Sequence, residues 1–161
     1  MTTSIRRTSA RALALLVSMI AAVTLVSIPF SSAHATTATT TASTNTFGRK
    51  VSYTASTRKG MPYVRGADGP TKFDCSGLTK WTFARLGHYL PHSAARQYSR
   101  VHHIPALYRR KGDLVFFHSG RGIYHVGIYV GNGYIWHAPY SGAHVRMERL
   151  WTSSVYYGRI G

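Results

Sequence analysis

Acidic residues are nearly missing from this chain of 161 residues: four Asp and Glu stand against 20 Lys and Arg, for a formal net charge of +16. So few carboxylates leave little from which to build a metal centre, and the nine histidines show no ligand spacing such as HExxH. No metal ion and no cofactor is therefore expected. His88, His92, His102, His103, His118 and His144 read as surface or hydrogen-bonded histidines. Cysteine is scarcer still. A single thiol, Cys75, excludes an intramolecular disulfide and leaves three roles: buried spectator, crosslink to another chain, or nucleophile. No repeat appears at solenoid periods, and beyond residue 30 no apolar run is long enough to span a bilayer.

What is present begins with an export pattern. Arg6, Arg7 and Arg11 precede an apolar stretch from Ala12 to Phe30, and Ser31-Ser32-Ala33-His34-Ala35 places small residues where a signal peptidase reads. Residues 1–35 are expected to be a signal peptide, cleaved after Ala35, rather than a retained anchor. Residues 36–46, TTATTTASTNT, lack large side chains and apolar periodicity and are expected to form a disordered spacer. The folded domain is then 47–161, where nearly all Tyr, Trp, Gly and His fall. The protein is expected to be secreted, extracellular or wall-associated, and monomeric. Its positive charge implies attraction to anionic wall polymers. The basic residues are scattered apart from Arg109-Arg110-Lys111, so no stripe for specific nucleic-acid binding emerges.

The domain reads as helices first and strands second. Phe47 to Arg58 is a first helix of thin periodicity. Asp74 then has the character of an N-cap, and Cys75, Leu78, Thr82 and Leu86 follow at helical spacing until Gly87 stops the helix. Cys75 thus falls in a first helical turn, where free N–H groups favour a thiolate, while the adjacent aspartate opposes one. A short helix capped by Ser93 comes next. Strands are expected over Leu114–Phe117, His125–Val130, Tyr134–Ala138, Val145–Met147 and Val155–Ile160, separated by glycine-bearing turns. This order implies an α+β fold with N-terminal helices packed on an antiparallel sheet. Gly112-Asp113 before a strand reads as a turn with the carboxylate bonded to backbone.

The turn at Gly131-Asn132-Gly133 offers two registers. A two-residue turn pairs 131 with 134 and puts His125 and His137 on opposite faces. A three-residue loop pairs 130 with 134 and 127 with 137, which makes the two histidines diagonal neighbours on one face. Turn sequence and apolar alternation leave both open.

The strings MPYVRGADGPTKFDCSGL, LPHSAARQY, KGDLVFF and YHVGIYVGNGYIWHAP, in that order and spacing, resemble the NlpC/p60 family of papain-like cell-wall peptidases across essentially the whole domain. The resemblance implies a nucleophile at Cys75, a base at His125 and a polar residue at His137 that orients it. It also implies a Tyr63 hydroxyl near the oxyanion site, with Asp74 and Ser76 on the donor side of the substrate. The implied substrate is the peptidoglycan stem peptide, cut between γ-D-glutamate and a diamino acid. The thiolate attacks the amide carbonyl and a thioester forms and is hydrolysed. His125 moves the proton, and the Cys75 N–H is a natural oxyanion donor.

Four positions depart from the family pattern: Arg65 where an aromatic is usual, Ala67 for Gly, His92 for Arg, and Lys111 for Pro. They bear on substrate preference more than on reaction class. Arg65 is read either as a carboxylate reader or as one more basic surface residue. Two further function classes stand beside the peptidase: a non-catalytic wall- or polyanion-binding module, and a secreted effector or acyltransferase that uses the same thioester.

Overall fold

The computed structural model describes residues 35–161, with side chains from Thr46 onward. Apart from Ala35, the expected signal peptide lies outside the described residues. Helix α1 spans Ala35–Ser56. It carries helical backbone through 36–46, in place of the disordered spacer expected there. Extending a formed helix costs far less than nucleating one, so a weakly helical Thr/Ala run can continue it. Val51 and Ala55, both fully buried, anchor α1 in the core.

Helix α2 spans Cys75–Ala84 and α3 spans Ala94–Tyr98. Asp74 caps α2 as expected, its side chain accepting from the Gly77 N–H, and Ser93 caps α3 in the same way through Arg96. Gly87, at φ +85°, ends α2: the His88 N–H returns to the Phe83 carbonyl and the Gly87 N–H to that of Ala84. Leu78 and Thr82 are fully buried on the inward face, while Leu86 falls beyond the helix end. The fully buried Gln97 ties α3 to α2. Its amide donates to the Ser76 and Pro91 carbonyls and accepts from the Thr79 hydroxyl.

Six strands form one antiparallel sheet: β1 (His102–Ile104), β2 (Leu114–Ser119), β3 (Gly122–Gly131), β4 (Tyr134–His137), β5 (Arg146–Arg149) and β6 (Val155–Arg159). Their order across the sheet is β1-β6-β2-β3-β4-β5. The strands expected from the sequence are all present. β3 starts three residues before His125, and β1 is an addition: a short edge strand whose two histidines are exposed. The helices cover one face, where Leu114, Phe116, Val126 and Ile128 meet Val51, Leu78 and Phe83. Val115, Phe117, Tyr129, Ile135 and Tyr157 cluster on the other. At roughly 25 cal/mol per Å² of apolar surface removed from water, such burial is the main driving force for the fold.

Asp113 holds the start of β2. It accepts from the Arg110 N–H, as the turn reading implied, and both its oxygens also take hydrogen bonds from Arg159 of β6.

Candidate active site

The β3–β4 turn combines the two registers that the sequence leaves open. Gly131 pairs with Tyr134 across Asn132 and Gly133, whose φ angles of 51° and 77° define a two-residue turn. A bulge at Val130 then shifts the ladder, so that Tyr129 faces Ile135 and Ile128 faces Trp136. That single extra residue moves the rest of β4 into the frame that puts His125 and His137 on one face. Their rings meet, with Nε2 of His125 2.9 Å from Nδ1 of His137 and the ring planes at 79°.

Cys75, His125 and His137 line one cavity of about 370 Å³, together with Tyr63, Tyr124, Pro139, Tyr140, Arg146, Glu148 and Trp151. Cys75 reaches it from the first turn of α2. Gly77, two residues on, sits where a Cβ would overlap the Ala67 carbonyl oxygen. The glycine therefore lets the start of α2 lie directly on the loop before it. Tyr63 is held from two sides: its N–H donates to the Ala143 carbonyl, and it bridges to Phe73.

Asp74 and Ser76 do not line this cavity. One Asp74 oxygen accepts from the Gly77 N–H and the Ser76 hydroxyl, the other from the Gly66 N–H, and His92 Nε2 lies 2.9 and 3.0 Å from the pair. Ser76 is buried. In the fold these bonds clamp the loop before α2 to the first turn of that helix. Arg65 is exposed and does not line the cavity.

Of the lining side chains that escaped the sequence reading, Glu148 and Trp151 touch the histidine pair. Glu148 on β5 accepts from Nε2 of the fully buried His137 at 2.9 Å and from the Arg146 guanidinium at 2.8 Å. Strand alternation places Arg146 and Glu148 on one face, but only the pairing of His137 with Arg146 and of Ile135 with Glu148 brings the carboxylate to the histidine. Trp151 stacks on Phe117 at 4.3 Å and packs on His137 at 5.4 Å and on His125 at 6.1 Å.

Burial controls the electrostatics. It pushes His125 down from 6.5 to about 3, with the neighbouring His137 adding to the fall and Glu148 opposing it. Burial also lowers His137, against the hydrogen bond to Glu148. Burial raises the Cys75 thiol; the Val126 N–H pulls it down and the Asp74 charge pushes it up. Glu148 stands below its ordinary value: desolvation raises it, but the hydrogen bonds from Arg146 and His137 outweigh that. Burial, with Cys75 and Asp74, holds the Tyr63 phenol high against Arg65, so its hydroxyl stays a donor at neutral pH. At rest the thiol and both imidazoles are uncharged, behind one ionised carboxylate.

Residues 60–158 match the model of the NlpC/P60 family. A curated relative, the "Probable endopeptidase p60" of Listeria innocua, is 49% identical over 83 residues; these cover 52% of this chain and 18% of that protein. The chain thus spans about a fifth of the length of that relative. Among solved structures, the NlpC/p60 domain of peptidoglycan hydrolase SagA superposes with a TM-score of 0.65 at 30% identity, covering 70% of this chain and 98% of that one. RipD of Mycobacterium tuberculosis, described as a non-catalytic NlpC/p60 domain protein adapted to peptidoglycan binding, shares the fold at a TM-score of 0.62 and 24% identity, over 70% of this chain and 96% of that one.

Proposed function

The chain belongs to the NlpC/P60 family, and from that premise we propose that it is a secreted cysteine peptidase hydrolysing peptidoglycan stem peptides between γ-D-glutamate and the diamino acid. One observation carries the reading: the thiol of Cys75 and the bonded pair His125–His137 open onto the same cavity. The names of the p60 and SagA relatives agree with the reaction class.

In this mechanism His125 takes the Cys75 proton as sulfur adds to the amide carbonyl. The oxyanion is met by the Cys75 N–H and the Tyr63 hydroxyl. His125 then hands the proton to the leaving amine as the C–N bond breaks and a thioester remains. Water attacks the thioester while His125 accepts its proton, and the return of that proton to sulfur restores the thiol. His137 holds the ring of His125 in place throughout. The basic leader supports export, and the 17 Lys and Arg against four Asp and Glu that remain in residues 36–161 support salt-sensitive retention on anionic wall polymers.

A wall-binding module on the same fold is the second reading. It is favoured by the excess of Lys and Arg over Asp and Glu, which attracts the chain to anionic wall polymers without any chemistry. Digestion of purified peptidoglycan by the wild type and by Cys75→Ala, followed by mass spectrometry, separates the two. Fragments ending in γ-D-glutamate from the wild type alone support the peptidase. Intact peptidoglycan that nonetheless retains both proteins supports the binding module.

A further inference from the structure

The chain has four carboxylates, and three of them serve the scaffold. Asp68 pairs with Lys80, Asp74 closes the start of α2, and Asp113 joins β2 to β6 through Arg159. The fourth, Glu148, stands behind the histidine pair at 2.9 Å from His137 Nε2. Arg146 donates to the same oxygen through both Nε and a terminal guanidinium nitrogen.

An ionised carboxylate has no proton to give, so a bond between it and a neutral imidazole requires the proton on the imidazole nitrogen. His137 therefore carries its proton on Nε2, and its Nδ1 is a bare acceptor. The ring nitrogen facing that acceptor is Nε2 of His125, at 2.9 Å. It must in turn hold the proton, or two lone pairs would confront each other in a buried site. His137 Nδ1 is occupied by that bond, so Nδ1 of His125 is the bare nitrogen of the pair still able to accept a proton from Cys75.

We propose that Glu148 is a positioning residue that fixes the tautomers of both His137 and His125 and so makes Nδ1 of His125 the base of the site. Arg146 keeps the carboxylate ionised and aimed. The chain thereby recovers, one residue further back, the carboxylate that a histidine in third position lacks. The inference rests on reading His125 as the base, but the tautomers themselves exist with or without substrate.

The test uses the full chain, isotope-labelled at the histidine nitrogens, and reads each ring by NMR. Protonated Nε2 and bare Nδ1 on both rings are expected, and a protonated Nδ1 on either overturns the proposal. In Glu148→Leu no acceptor remains for the His137 Nε2–H, so neither tautomer is held, and protonated Nδ1 should appear on both rings. On peptidoglycan, kcat should fall on the order of 100-fold with KM unchanged, within the range a positioned base supplies. Glu148→Asp, which keeps the carboxylate, should retain the wild-type tautomers and recover part of kcat. Equal kcat in the wild type and a folded Glu148→Leu overturns the proposal and leaves the peptidase reading intact. The expected tautomers in a protein that cuts no peptidoglycan support the relay and count against the peptidase instead.

Discussion

His92 closes onto Asp74: its Nε2 lies 2.9 Å from one carboxylate oxygen and 3.0 Å from the other. Together with the Gly66 and Gly77 N–H groups and the Ser76 hydroxyl, it fills the hydrogen-bonding capacity of the residue before Cys75. The aspartate thus serves as the pin between the 61–73 loop, the loop before α3 and the first turn of α2. Asp74→Ala is expected to destabilise the fold by about 2 kcal/mol, the upper range for a lost N-cap. Urea unfolding checks this, and an unchanged midpoint would show that the clamp contributes nothing to the fold.

The buried thiol sets a second expectation. With Cys75 held above its ordinary value chiefly by burial, the resting protein contains thiol at neutral pH. Its alkylation by iodoacetamide should accelerate as pH rises through the alkaline range. A rate flat across neutral pH would reveal a standing thiolate and contradict the neutral pair.

Acid should weaken the fold through the same two rings. Unfolded His125 takes up a proton below 6.5, whereas the folded residue resists until about 3. Between these values the unfolded chain binds more protons. Stability is therefore full above 6.5 and declines as pH falls through that window, by up to about 1.4 kcal/mol per pH unit for one group. His137, also lowered by burial, acts in the same direction. Denaturant unfolding as a function of pH should show a shallower acid loss in His125→Gln, and identical slopes would refute the assignment.

Much of this site could be read before any coordinates. The Asp74 cap, the placement of Cys75 in a first helical turn and the strands flanking Asn132-Gly133 all follow from local rules that act within a few residues. The meeting of His125 and His137 does not. It depends on the bulge at Val130, where the sequence shows only a β-branched residue before a glycine. Glu148 is one step more remote, because its approach to His137 needs the β4–β5 register as well. The exposed strand β1 escaped for a different reason: His102 and His103 are both exposed, so no apolar pattern announces it.

Trp151 offers the last prediction. Its indole lies parallel to Phe117, at 9°, and touches both histidines while remaining 51% exposed. It packs beside both rings of that hydrogen-bonded pair. Trp151→Ala should cost about 1–2 kcal/mol of stability, for the lost aromatic contacts and part of the indole burial. Its larger effect should be electrostatic. Water admitted beside His125 relieves the desolvation that depresses its pKa, so an NMR titration of the ring should move upward from about 3 towards 6.5. As that value climbs, more of His125 is protonated in mildly acidic solution, and under the proposed mechanism turnover of peptidoglycan should fade there first while alkaline turnover persists. A parallel loss at every pH, with the His125 titration unmoved, would mean that the indole acts on the substrate rather than on the histidines.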